Sequence, residues 1–313
     1  MLHTRFTELF GLDHPVMSAP MAMHSGGTLA AAVSSAGGLG SFGGISQGGA
    51  GWVTEQAELV RARTDRPFGI GFITEFLPFV EPLFDAAVAA SPDVLALSFG
   101  DPRPWAERAR SSGARLVCQV QTTEGADWAA ECGADVIVVQ GTEAGGHTGT
   151  MTLLPLLAAV AARHPSVPLL AAGGVGDGRT LAAALVAGAN GAWLGTAFLA
   201  TNEAIEIGDG HKQAIVASDG GDTVFTHAYD IASGRPWPAG IGERVRRDAF
   251  TDEWADRERE LVDRRTEVTP PEPYLYGQSA AFVGSVRTAA EVVHSISADA
   301  ERVLRERPGT LLG

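Results

Sequence analysis

The segment Gln140-Gly141-Thr142-Glu143-Ala144-Gly145-Gly146-His147-Thr148-Gly149 sets one histidine among glycines directly after the apolar run Val136–Val139. Imidazole is the side chain best suited to exchange a proton near neutral pH, and bare glycines let a flat ligand come close. His147 is therefore a candidate proton-transfer residue, with an ordinary surface loop histidine as the alternative. Glu143 is a second possible base, or else it serves a helix N-terminus or an ion pair. Two more turns, Ala172-Gly173-Gly174-Val175 and Leu194-Gly195-Thr196-Ala197, also follow apolar runs. Without a Cβ their backbone N–H groups can approach phosphate oxygens, and a following helix adds a favourable dipole. The same glycines could simply make tight turns.

What is missing narrows the chemistry. Of 23 basic residues only Lys212 is a lysine, and it lies beyond the last of these turns, which removes aldolases that need a strand-end Schiff base. Metal-dependent hydrolases need several His and acidic ligands converging from strand ends, and too few are present, so no metal is expected. Cys118 and Cys132 match no zinc spacing and are too few for a disulfide framework. The net charge of −14 argues against nucleic acid or anionic lipid as a partner. The longest nearly apolar run, Leu153–Ala162, is far short of the ~20 residues of a spanning helix, and Met1 to His14 lacks the apolar core of a signal peptide. A cytoplasmic enzyme acting on a small molecule is the expectation, with homo-oligomerisation left open.

The elements that must position these residues alternate through the first 200 positions. Apolar β-type runs occur at Pro15–Ser18, Leu39–Phe42, Phe68–Ile73, Val94–Phe99, Arg115–Val120, Val136–Val139, Leu169–Ala172 and Ala192–Leu194. Helical stretches lie between them near Thr28–Ser35, Trp52–Arg63, Phe79–Ala89, Pro104–Ser111, Glu124–Glu131, Leu153–Arg163 and Gly178–Ala187. Eight units of about 25 residues predict an α/β fold, a (β/α)8 TIM barrel, with its site at the C-terminal ends of the strands. An open dinucleotide-binding sheet is the rival, because Gly38-Leu39-Gly40-Ser41-Phe42-Gly43 reads G-x-G-x-x-G. That motif should follow a strand and open a helix; here it follows a helix and contains a strand.

After Thr201 the alternation stops. The charge-dense run Asp252–Glu267 reads as a solvated helix ended by Pro270, Pro271 and Pro273. Thr288 and Glu291 then form a capping box for a last helix carrying Val292, Val293, Ile296, Val303 and Leu304 on one face. The predicted organisation is a barrel from residues 1–212 and 277–313, with a smaller inserted lobe at 213–276 covering the substrate.

Ala19-Pro20-Met21, Ala36-Gly37-Gly38-Leu39-Gly40, Gln140 through His147, Ala171-Ala172-Gly173-Gly174-Val175 and Trp193-Leu194-Gly195-Thr196 together resemble the nitronate monooxygenases, formerly called 2-nitropropane dioxygenases. The resemblance covers residues 14–200 closely, and Gly277-Gln278-Ser279-Ala280 also fits. It implies an FMN-binding flavoprotein, an oxidoreductase that converts alkyl nitronates and dioxygen to carbonyl compounds and nitrite, with His147 catalytic. Carried over by position, Pro20, Met21, Gly71, Gln119, Gln140, Gly145, Gly173, Gly174, Trp193, Leu194, Gly195 and Thr196 would contact FMN. Gly71 stands where many relatives have an Asn, so its side-chain amide is missing here. His24 is a substrate-side candidate or a rim residue. The same superfamily contains NAD(P)H-dependent flavin reductases of enoyl thioesters and quinones. A flavin-free barrel binding a phosphorylated metabolite is a third reading.

Overall fold

The computed structural model describes residues 2–238 and 240–312. Eight strands form one parallel sheet: β1 (Val16–Ser18), β2 (Gly40–Gly43), β3 (Phe68–Ile73), β4 (Val94–Ser98), β5 (Arg115–Val120), β6 (Val136–Gln140), β8 (Leu169–Ala172) and β9 (Gly191–Leu194). Neighbours pair in the order β1-β9-β8-β6-β5-β4-β3-β2. The two end strands meet as well: Met17 bridges Leu39, Leu39 N–H donates to Val16 O at 2.9 Å and Ser18 N–H to Leu39 O at 3.0 Å. The Ser41 hydroxyl also donates to Ser18 O, and Ser41 N–H to Ser18 Oγ at 2.7 Å. The sheet is thus a nearly closed barrel, the predicted TIM barrel, and not an open dinucleotide-binding sheet. Each predicted strand and crossover helix of the first 200 residues is present, with ends shifted by a few residues.

Alternation along the strands sorts side chains into two layers. Met17, Val94, Ala96, Val117, Val136, Val138, Leu170, Ala172 and Trp193 fill the barrel interior. Their outward neighbours, such as Ile70, Leu95, Leu116, Ile137 and Leu194, pack under the helices. Phe6, on a short helix at Arg5–Phe10 that the apolar pattern did not announce, joins the inner stack. Thr4 caps that helix and donates to Asn190 O just before β9, which fixes it at the N-terminal end of the strands. Cys118 lies in the outer layer, buried, with a free thiol.

The lobe is built on a second sheet. β10 (Thr223–Thr226) and β11 (Gly242–Arg246) pair antiparallel, and β11 pairs on its other side with β7 (Gly146–Thr148). β7 belongs to the glycine-rich segment after β6, so residues from within the barrel's own sequence complete the lobe sheet. Positive φ at Gly146, +70°, lets the chain turn sharply into that strand. Asp252–Glu267 differs from the single solvated helix predicted: two short helices, Ala249–Trp254 and Glu258–Arg264, place Phe250, Trp254 and Leu261 in the lobe core. A mixed-charge surface concealed two turns with apolar anchors. The chain returns through Tyr276, fully buried, and ends in the helix Ala289–Leu312. Thr288 and Glu291 make the expected reciprocal cap there, with Thr288 N–H donating to Glu291 Oε2 at 2.8 Å and Glu291 N–H to Thr288 Oγ1 at 3.2 Å. Among the described residues no helix is long and apolar enough to cross a membrane.

Candidate active site

The C-terminal ends of the strands carry uncharged donors. Inward parity puts Gln119 on β5 and Gln140 on β6 one step above Val117 and Val138. With Gln121 they form a row of amides: Gln121 Nε2 donates to Gln140 Oε1 at 2.9 Å, and Gln140 Nε2 donates to His147 O at 3.0 Å. All three are buried, and the Gln119 amide nitrogen donates to no described residue. A buried amide with unspent N–H groups is a recognition group awaiting an acceptor.

The loops around the mouth lock together through missing Cβ atoms. At Gly71 a Cβ would fall inside the Pro20 ring. Gly195 faces Met21 Sδ, and a Cβ there would stand 3.4 Å from the sulfur. Gly145 lies against the Tyr276–Gly277 backbone, and Gly277 N–H donates to Thr196 Oγ1 at 3.0 Å. Gly173 and Gly174, at φ of +88° and +71°, turn the chain after β8 beside Gly141 and Ala144. The Trp193 indole belongs to the inner stack, and Leu194 lies in the outer layer.

Glu143 accepts from Leu153 N–H through both carboxylate oxygens, at 3.1 and 3.0 Å. It caps the helix Leu153–Arg163 and is not poised as a base. His24 also stands apart from His147 in its contacts. Its Nδ1 pairs with Ala22 O at 2.8 Å and its ring meets His211 edge-on at 6.1 Å. His211 in turn stacks on Tyr274 at 4.9 Å, and burial holds its pKa below the ordinary value.

His147 lies on β7 opposite Glu243 of β11. Its Nε2 is 2.9 Å from Asp230 Oδ2, while Nδ1 has no hydrogen-bond partner among the described residues. The ring stacks on Trp237 at 3.6 Å and 13°. Phe99 stands edge-on to both rings, 6.5 Å from His147 and 5.2 Å from Trp237. Phe99 holds φ at +60°, a costly conformation for a bulky residue, which turns the chain sharply just after β4. Asp230 and Glu243 are 4% and 1% exposed, and burial followed by the charge of Asp230 pushes the Glu243 carboxyl up to about 8. The imidazole and the two carboxylates each bring one atom within 4.8 Å of the others. On the far side of Trp237, Phe76 touches the indole at 5.0 Å and lines an apolar cavity of about 360 Å³ with Ile45, Phe79, Val80 and Pro236.

Asp230, Glu243 and Trp237 were not legible as site residues. They sit 83 or more positions from His147 in sequence, in a stretch without apolar periodicity.

The nitronate monooxygenase family profile matches residues 3–76 and 83–249. A nitronate monooxygenase of Pseudomonas aeruginosa is 32% identical over 288 residues, taking in 75% of this chain and 79% of that protein. A Mycobacterium tuberculosis (3aS,4S,5R,7aS)-5-hydroxy-7a-methyl-1-oxo-octahydro-1H-indene-4-carboxyl-CoA dehydrogenase is 32% identical over 234 residues, covering 73% of this chain. The match spans 64% of that dehydrogenase, and 44% of another M. tuberculosis relative. Among solved structures, FabK from Thermotoga maritima superposes with a TM-score of 0.89 at 28% identity, over 99% of this chain and all of that one. Nitroalkane oxidase from Streptomyces ansochromogenes gives 0.77 at 27%, over 96% and 99%. The nitronate monooxygenase family is flavin-dependent in general. The mouth fits such a group: it offers the unspent amide of Gln119 and glycine-lined backbone at 173, 174 and 195. The chain belongs to the nitronate monooxygenase family.

Proposed function

We propose that this chain oxidises alkyl nitronates with FMN and dioxygen, yielding a carbonyl compound and nitrite. The observation that carries the reading is His147 beside the amide row, with Nε2 engaged by Asp230 and Nδ1 unengaged. FMN bound at the mouth would supply the redox chemistry, taking reducing equivalents from the substrate and passing them to dioxygen. Gln119 and Gln140 would hold the flavin ring, with Pro20 and Met21 beside it, and the Gly173–Gly174 and Gly195–Thr196 backbone would receive its phosphate.

His147 then handles the proton. With its hydrogen on Nε2 toward Asp230, Nδ1 removes the α-proton of a neutral nitroalkane, or as imidazolium faces the nitronate oxygens. The lobe, residues 213–276, covers the substrate. Asp230 keeps the imidazole oriented without itself taking the proton.

Replacing His147→Ala should leave FMN bound and lower turnover of neutral nitroalkane at least 100-fold, within the usual contribution of a positioned base of about 10²–10⁴. Full turnover of both nitroalkane and nitronate by that variant would sink the reading. The second reading, an NAD(P)H-dependent reductase, is favoured by the fit to FabK and by the CoA-thioester dehydrogenase relative. Anaerobic mixing separates the two. Prompt loss of the flavin visible band with NADH or NADPH supports the reductase, and a spectral change with nitronate alone supports the oxidase.

A further inference from the structure

Behind His147 the lobe holds two carboxylates that lack enough partners. Asp230 Oδ1 and Glu243 Oε1 are both buried and neither makes a hydrogen bond. Glu243 faces His147 across β7 and Thr226 across β10, and Asp230 comes from the helix Ala228–Ser233. Among the described residues no fixed cation pairs with them. Arg235 acts on Glu243 only as the weakest influence, and its side chain is exposed. The Arg244 guanidinium is committed elsewhere, to Thr142 O at 2.7 Å and Thr223 Oγ1 at 3.2 Å. His227 is bound to Glu258, and Tyr229 donates to Asp248. One atom of each carboxylate lies within 4.8 Å of the other; two buried negative charges that close would be strongly unfavourable, and one proton held by the pair removes one of them.

We infer that Asp230 and Glu243 together hold one proton behind His147, so that Glu243 is neutral while Asp230, ionised, fixes the imidazole with its hydrogen on Nε2 and its basic nitrogen, Nδ1, free for the substrate. Asp230 and Glu243 are positioning residues, and the inference rests on His147 being the proton-transfer residue. When Nδ1 takes the α-proton, the C–H electron pair stays on the substrate as its nitronate. The imidazolium then pairs with the Asp230 carboxylate. Neutral Glu243 keeps this enclosed group from carrying a second negative charge. At a pH well above 8 Glu243 ionises, a like charge appears beside Asp230, and the arrangement loses its advantage.

The test uses the flavin-loaded protein and two readouts that need no turnover. Infrared spectroscopy of the wild type should show a protonated carboxyl band at pH 6.5 that fades with a midpoint near 8 and is absent in Glu243→Gln. Nitrogen-15 histidine spectra should show His147 with hydrogen on Nε2; Asp230→Asn should give mixed tautomers, and Asp230→Glu should recover the native form. The Asp230→Asn variant should also lose at least tenfold in kcat on neutral nitroalkane, and less on preformed nitronate. A carboxyl band unchanged in Glu243→Gln would overturn the inference. So would an unaltered His147 tautomer in Asp230→Asn, or one equivalent of divalent metal that either substitution removes. Because tautomer and band are read without substrate, an active His147→Ala would defeat the proposed reaction while leaving this arrangement separately decided.

Discussion

The barrel and the lobe bury opposite materials. Inside the barrel the stack from Met17 to Trp193 is apolar, and polarity begins only at the rim, as neutral amides of Gln119, Gln121 and Gln140. The lobe's core is small, built on Ala228, Tyr229, Val245, Phe250, Trp254 and Leu261, and ionisable groups are buried beside it at Asp230, Glu243 and Arg244. A neutral platform suits a cofactor whose own electronics do the redox work. A titratable wall suits the proton that accompanies it. The division places the two tasks on different pieces of chain, and β7 carries His147 from the first piece to the second.

The largest effect should come from the barrel. Trp193→Ala removes a 5%-exposed indole from the inner stack and should cost about 3–5 kcal/mol of stability, the usual loss for a large aromatic from a packed core. Denaturant unfolding with and without FMN checks it, and the loss should be the same in both. If the variant instead kept its stability and lost flavin affinity tenfold, Trp193 would be a cofactor contact, as its place in the motif implied, and the barrel would not be the passive platform described above.

That case shows how far the sequence could be read. Strands and crossover helices were legible because each carries its own period, and the site segments were legible because glycine clusters at strand ends are rare outside ligand turns. Side-chain direction was less visible. Trp193 and Leu194 lie in a recognisable motif, yet strand parity sends one into the stack and the other under the helices. The lobe was opaque for a different reason. Its sheet joins residues 146–148 to 223–226 and 242–246, and its helices hide Trp254 and Leu261 in charged surroundings, so no local window reveals it. Asp230 and Glu243 acquire meaning only once β7 and β11 are paired.

The middle effect reverses the sign. Glu243 has its carboxyl raised from an ordinary 4.5 to about 8 by burial and by Asp230. Between those values the folded protein holds a proton that the unfolded chain releases, so stability falls as pH rises from about 4.5 to about 8 and then levels. Glu243→Gln removes that penalty. It should stabilise the protein on the order of a few kcal/mol at pH 9, and little at pH 4. Thermal unfolding across pH 4–9 reads the difference. A variant equally destabilised at every pH would mean that the lobe depends on Glu243 as an anion, and the contrast with the barrel would narrow to composition alone.

The smallest effect belongs to the outer layer of the barrel, far from either core. Thr288→Ala removes the hydroxyl that accepts Glu291 N–H and opens the helix Ala289–Leu312, and the loss should be about 1 kcal/mol, typical of an N-cap. The helix packs Val292, Val293 and Ile296 into the sheet–helix layer, so the lost stability should appear as a lower unfolding midpoint without a change in slope. Flavin content and the pH profile of turnover should stay as in the wild type, because the cap touches neither the amide row nor the Asp230–Glu243 pair. A shift in that pH profile would show that the last helix communicates with the titratable wall, and the separation of tasks between barrel and lobe would then be incomplete.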